Sequence, residues 1–236
     1  MPLQTLKKIS LLADQLDGLM HQVVLVGDTS LEFYATDAAA QEHRTSRQIE
    51  CLVQATSMGD LYNWSETLKT RGFTPVDDAQ PHQIFQHDSL SLRIIPLRPI
   101  IQGVQQIWYE EGAFHAYSHQ IPKGPRVRLL PAAYFLAAKI EGVNANRKRS
   151  FRMDENFEDL VYLLDNRSEI LHDVARTFYN VREYIQTQFQ NWLQDPSLEE
   201  GICYALPFDA GQRGAEKILD MMRTLSDQRL VRAMAS

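Results

Sequence analysis

Two cysteines in 236 residues, Cys51 and Cys203, are too few and too far apart to staple a fold, so a disulfide framework is excluded and a reduced compartment is expected. No apolar run approaches the roughly 20 residues that a membrane-spanning helix needs. The opening residues, Met1-Pro2-Leu3-Gln4-Thr5-Leu6-Lys7-Lys8, lack the extended apolar region of a secretory signal. A cytoplasmic protein with no membrane partner is therefore expected. A Walker phosphate loop, a dinucleotide fingerprint and a nucleophile elbow are all absent, as are internal repeats, low-complexity stretches and DNA-binding motifs. His115 and His119 stand four residues apart, but the Glu of a metalloprotease helix is missing, so no zinc site is expected there.

What the chain does have is 44% hydrophobic residues and a formal charge of -6, enough apolar surface to bury a core as one domain or two intimate ones. The charge is uneven. From Lys123 to Arg152 the basic residues are Lys123, Arg126, Arg128, Lys139, Arg147, Lys148, Arg149 and Arg152, against the single acid Glu141. Such a segment steers phosphate-bearing or acidic partners, which admits an unidentified protein or RNA. A solvated loop at Arg147-Lys148-Arg149 accounts for the same residues.

Hydrophobic period divides the chain into two regions. Leu6, Ile9, Leu12, Leu16 and Leu19 mark one face of a helix from Leu3 to Met20. An apolar strand at Val23-Val24-Leu25-Val26 follows, then a Gly turn and a helix over Thr29 to Ala40, for which Asp28 or Thr29 is the expected cap and Thr29-Ser30-Leu31-Glu32 fits a capping box. A strand from Gln48 to Ala55, a helix from Gly59 to Thr70, and a hairpin of Gln83 to Gln86 with Leu90 to Leu97 complete this part. Beyond Pro131 the period is 3.6 throughout. Helices are expected to Val143, over Glu155 to Leu164, along one stripe from Ile170 to Trp192, and at the end after Asp209 as cap. The expected class is α+β, a small mixed sheet flanked by helices, with an α/β core over 1–122 and a helical region over 123–236.

The order strand, Gly turn, helix, then a strand with polar residues at alternate positions (Gln48, Glu50) resembles the nucleotidyltransferases of the abortive-infection type IV toxin family. The likeness continues through Ile107-Trp108-Tyr109 and Arg128-Leu129-Leu130-Pro131-Ala132-Ala133-Tyr134-Phe135-Leu136-Ala137-Ala138-Lys139-Ile140-Glu141. Asn156-Phe157-Glu158-Asp159-Leu160-Val161, Ala205-Leu206-Pro207 and Asp209-Ala210-Gly211-Gln212-Arg213 extend it over nearly the whole chain. The resemblance implies a nucleotidyltransferase-like fold in which Gly27, Asp28, Thr29 and Ser30 approach nucleotide phosphates and Lys139 contacts them. It also implies that acids at the positions of Gln48, Glu50 and Arg93 hold magnesium, with a further pair of acids at Asn156 and Asp159.

The departures from that pattern carry the functional expectation. Gln48 and Arg93 replace two of three metal-binding acids, so Glu50 stands alone and the three side chains sum to zero charge, whereas magnesium needs carboxylates to replace its water. Arg93 facing Glu50 would place a guanidinium where the ion belongs. Asp28 would repel a phosphate by about 4 kcal/mol at about 4 Å and an effective dielectric near 20. Asn156 replaces the first acid of its pair, leaving Asp159. Glu50 and Asp159 are thus vestigial catalytic candidates, no resident metal is expected, and no cofactor is assigned. The reading is a nucleotidyltransferase-like protein that has lost metal-dependent catalysis and serves as a binding or regulatory module. The alternative is an active toxin-like transferase that uses magnesium and a nucleoside triphosphate to modify RNA or protein, with Glu50, Asp159 and Asp28 as ligands. A structural subunit with a filled cleft is the third.

Overall fold

The computed structural model describes residues 3–37, 40, 48–78, 83–98, 106–146, 150–207 and 210–227. The fold is α+β, and the chain forms two compact units: Met1–Phe33 with Glu42–Pro131, and Tyr34–Gln41 with Ala132–Ser236.

The first unit is built on a seven-stranded mixed sheet. Its strands are β1 (Val23–Val26), β2 (Ile49–Val53), β3 (Thr74–Pro75), β4 (Ile84–His87), β5 (Leu90–Pro96), β6 (Tyr117–Gln120) and β7 (Arg126–Leu129), in the order β3-β4-β5-β2-β1-β7-β6. β2 runs parallel to β5 and β1 parallel to β7, whereas the remaining neighbours are antiparallel. β1 is buried along its whole length, as expected of a central strand with both faces covered. The hairpin β4–β5 turns through Asp88, whose φ of 50° places it in the left-handed region that Asp tolerates.

Three helices accompany this sheet: α1 (Leu3–Leu16), α3 (Met58–Thr70) and α4 (Tyr109–Phe114), with the single turn α2 (Asp28–Leu31) after β1. α1 stops at Leu16, four residues earlier than the hydrophobic period predicts, because the chain turns at Gly18 with φ 73°. α3 starts on a capping box in which the Ser57 side chain accepts from the Asp60 amide and the Asp60 carboxylate accepts from the Ser57 amide.

Several sequence expectations are corrected. The helix over Thr29 to Ala40 is one turn long, and neither Asp28 nor Thr29 caps it: Gly27 is the cap residue and no side chain serves it. The chain then turns over residues 32–34, and within the second unit the Thr36 and Asp37 amides donate to the carbonyl of Asn166. β6 and β7, which the sequence reading did not separate, complete the sheet, so the first unit runs to Pro131 rather than to 122.

The second unit is helical: α5 (Ala132–Ala145), α6 (Glu155–Asn166), α7 (Ile170–Arg176), α8 (Tyr179–Trp192), α9 (Leu198–Ala205) and α10 (Gly211–Ser226). α5 is buried on nearly every side from Ala132 to Ile140, which makes it the central helix of the group. α6, α7 and α8 pack against it, and α10 packs on α8 and α9.

The single stripe from Ile170 to Trp192 is two helices. At the break Thr177 and Phe178 are extended and Phe178 is exposed, while Arg182 donates to the Ala175 carbonyl that the interruption leaves over. Asp209, the expected cap of the last helix, lies outside the described residues, and α10 is preceded by Ala210 with no side-chain cap.

Candidate functional site

Strand register brings one set of the expected residues together. Glu50 and Arg93 are partners across the parallel pair β2–β5. Alternation along each strand then puts Gln48 and Glu50 on the same face as Ser91 and Arg93. Gln48 Nε2 donates to Ser91 Oγ at 3.0 Å, and Arg93 Nη1 donates to Glu50 Oε1 at 3.4 Å. The guanidinium does face the carboxylate. At 3.4 Å the contact is looser than the roughly 2.8 Å of a well-formed charge-assisted bond.

Glu50 is enclosed on its other side by the turn after β1. A Cβ on Gly27 would lie 2.3 Å from Glu50 Oε2, so the carboxylate occupies the space that any other residue at 27 would need. Gly27 has φ 72° and ψ -167°, a region in which only glycine is unstrained. Glycine is therefore required twice, by conformation and by the acid lying on it.

The turn's hydroxyls face inward. Thr29 Oγ1 donates to the carbonyl of Gln48, and Ser30 Oγ donates to the carbonyl of Gly27. Both residues are buried, Thr29 at 3% and Ser30 at 0% exposure, so neither hydroxyl is presented to a ligand. Asp28, the first residue of α2, is half-buried.

Tyr109 and Cys51 complete this neighbourhood. Burial pushes the Tyr109 hydroxyl far above its ordinary range, the Glu50 charge adds to the rise and Arg93 opposes it, which places Tyr109 within reach of both charges. Burial likewise raises the Cys51 thiol, with Glu50 adding to it, so the thiol stays protonated and unreactive. Sequence reasoning gave Tyr109 no role, because its proximity comes from α4 packing and leaves no trace in local spacing.

These residues do not fit a magnesium ion. Gln48, Glu50 and Arg93 offer one carboxylate, already paired with a cation, where magnesium asks for several oxygen donors. No group of three His, Cys, Asp or Glu residues among the described residues is placed to hold a metal.

The second set lies in the helical unit. Lys139 of α5 and Asp159 of α6 form a buried ion pair, Nζ to Oδ2 2.5 Å, with side chains 10% and 2% exposed. The Lys139 ammonium also sits 5.4 Å from the centre of the Phe135 ring. The residue expected to meet phosphates and the residue expected as a vestigial catalytic acid are thus each other's partner. One turn along both helices, Asn156 lies over Gly142, where an added Cβ would be 2.7 Å from the amide. The pairs 139 with 159 and 142 with 156 run in opposite directions along the two helices, as antiparallel packing requires.

Among the described residues, the basic segment from Lys123 to Arg152 does not present a row of open cations. Lys139 turns inward. Arg128 donates to the carbonyls of His21 and Ala113. Arg152 pairs with Glu200 and stacks on Tyr204. Lys123 and Arg126 are exposed, and Arg147, Lys148 and Arg149 lie outside the described residues.

No helix among the described residues is long and apolar enough to cross a membrane. No family model matches the chain, and no curated protein matches it.

Proposed function

We propose that the chain is a nucleotidyltransferase-like protein that has given up metal-dependent transfer and acts in the cytoplasm as a binding or regulatory module. One observation carries this reading: Glu50, the only carboxylate at the three positions where the resemblance asks for metal-binding acids, is held between Arg93 and Gly27. The arginine supplies in place the positive charge that a magnesium ion would bring, and removes the negative potential that would attract one.

Lys139 supports the same reading from the helical unit. A lysine that serves phosphates must offer its ammonium, yet Asp159 already neutralises it within a buried contact. Transfer of a nucleotidyl group depends on positive charge concentrated on the phosphates. Each of these two pairs instead balances its charge internally.

Calorimetric titration with each nucleoside triphosphate, with magnesium and again with chelator, tests the proposal. No magnesium-dependent heat is expected, and no label passes from a triphosphate to RNA or protein. Magnesium-dependent binding, or transfer of label, would restore the active transferase and overturn this reading.

A further inference from the structure

The helical unit holds a pocket of about 320 Å³ that none of the preceding residues enters, bounded by the end of α5, the turn before α6, the end of α8 and the start of α9. Its volume lies near the lower end of small-molecule sites, which begin at about 300 Å³. Phe151 and Trp192 supply the aromatic part of the lining, their ring centroids 5.4 Å apart and edge to face. Phe151 is held firmly: Gly201 of α9 comes so close that an added Cβ would be 2.4 Å from Phe151 Cβ.

A chain of hydrogen bonds orients the polar wall. Trp192 Nε1 donates to Asn144 Oδ1, and Asn144 Nδ2 donates to Gln188 Oε1 at 2.9 Å and to the Tyr184 hydroxyl at 3.4 Å. Tyr184 in turn donates to Glu141. With its oxygen taken by Asn144, Gln188 keeps its Nε2 donor without a protein partner among the described residues. The exposed amide of Asn191 likewise keeps a donor and an acceptor. Asp195 spends Oδ1 on the amide and hydroxyl of Ser197 and retains Oδ2 as an acceptor.

We propose that this pocket binds a neutral planar nitrogen heterocycle, a nucleobase or nucleoside, by stacking against its aromatic wall and pairing with the amides of Gln188 and Asn191. The lining offers donors and acceptors side by side, which is what the hydrogen-bonding edge of a base needs, beside an aromatic surface that takes its flat face. Among the described residues of the lining Asp195 is the one that is charged, and it carries negative charge, since the Ser197 bonds hold its carboxyl below the usual range. A phosphate attached to the ligand is therefore disfavoured, which separates this site from a triphosphate site and makes it independent of the function proposed above.

Saturation-transfer NMR on the full chain with adenosine, guanosine, cytidine and uridine, each beside its 5′-monophosphate, tests the assignment. At least one nucleoside is expected to receive saturation on its base protons, and its monophosphate to bind more weakly. Asn191→Ala and Gln188→Ala are each expected to weaken that binding about threefold to tenfold, the size of one lost hydrogen bond. Asp195→Asn is expected to narrow the gap between nucleoside and monophosphate. Because Asn191 is exposed, its variant keeps the fold, and circular dichroism confirms this before binding is read. Absence of transfer to all four nucleosides, binding unchanged in both amide variants, or tighter binding of the monophosphate overturns the proposal.

Discussion

Arg93 and Glu50 are register partners on adjacent parallel strands, with the guanidinium Nη1 3.4 Å from the carboxylate Oε1. The relationship makes each of these side chains half of an ion pair. Its partners are fixed by the sheet, since both residues sit on strands whose neighbours are buried hydrophobics.

The pair is only moderately stabilising. Its side chains are 39% and 27% exposed, so a double-mutant cycle of Arg93→Leu and Glu50→Leu should give a coupling of about 1 kcal/mol or less, falling as salt is added. Urea denaturation of the four proteins measures it. A coupling of several kcal/mol would mean that the pair is sealed from water.

Gly27→Ala should destabilise the first unit by about 1–3 kcal/mol, because alanine is strained at φ 72° and ψ -167°. Its Cβ also meets Glu50 Oε2, the mobile end of a side chain that can swing aside. Adding Glu50→Ala should therefore recover only part of the loss. Full recovery would show that contact, rather than backbone strain, sets the requirement for glycine.

Lys139→Met removes the cation beside the Asp159 carboxylate in a site where it is 2% exposed, and should cost about 3–5 kcal/mol in urea denaturation. Lys139→Met together with Asp159→Leu removes both charges and should cost far less. Equal losses in the single and double variants would mean that packing by the lysine stem, and not charge, holds α5 to α6.

Hydrogen bonds from Thr56 and Ser57 hold the exposed Asp60 carboxyl below its ordinary value of 3.8. A folded-state value below the unfolded one stabilises α3 above that ordinary value, and the contribution disappears as pH falls through the lowered folded value. Asp60→Asn should thus be less stable than the parent at neutral pH, and the two should converge in strong acid. Thermal melts across the pH range read the difference, and a gap that persists at low pH would sink the assignment.

Gly201→Ala should cost about 1–3 kcal/mol, since the new methyl meets Phe151 at its Cβ, which rotation about χ1 does not move. Phe151→Gly in the same chain, which removes that Cβ, should remove most of the penalty specific to the methyl, whereas Phe151→Ala, which keeps it, should not. Additive losses would place the strain elsewhere in α9.

Strand and helix identity was legible wherever the hydrophobic period was long. α3, α5 and α6 start and end within two or three residues of expectation, because their apolar faces and flanking Ser57, Pro131 and Asp154 are local features. The site was legible to the extent that alternation is: Gln48 with Glu50 had to share a face. That Ser91 and Arg93 would meet them depended on which strand lay beside β2 and in which register.

The sequence by itself determined the α+β class and the switch from a period of two to one of 3.6 after Pro131, since each depends on residue type and near-neighbour spacing. Only the tertiary structure decided that the helix after Gly27 ends at Leu31, that the stripe from Ile170 breaks at Thr177, and that Lys139 is spent on Asp159. The packing of α6 on α5 brings Asp159 to Lys139, and the Thr36 and Asp37 amides beyond the end of α2 are taken by the Asn166 carbonyl. These are contacts between segments far apart in the chain, where pairwise geometry overrides local propensity.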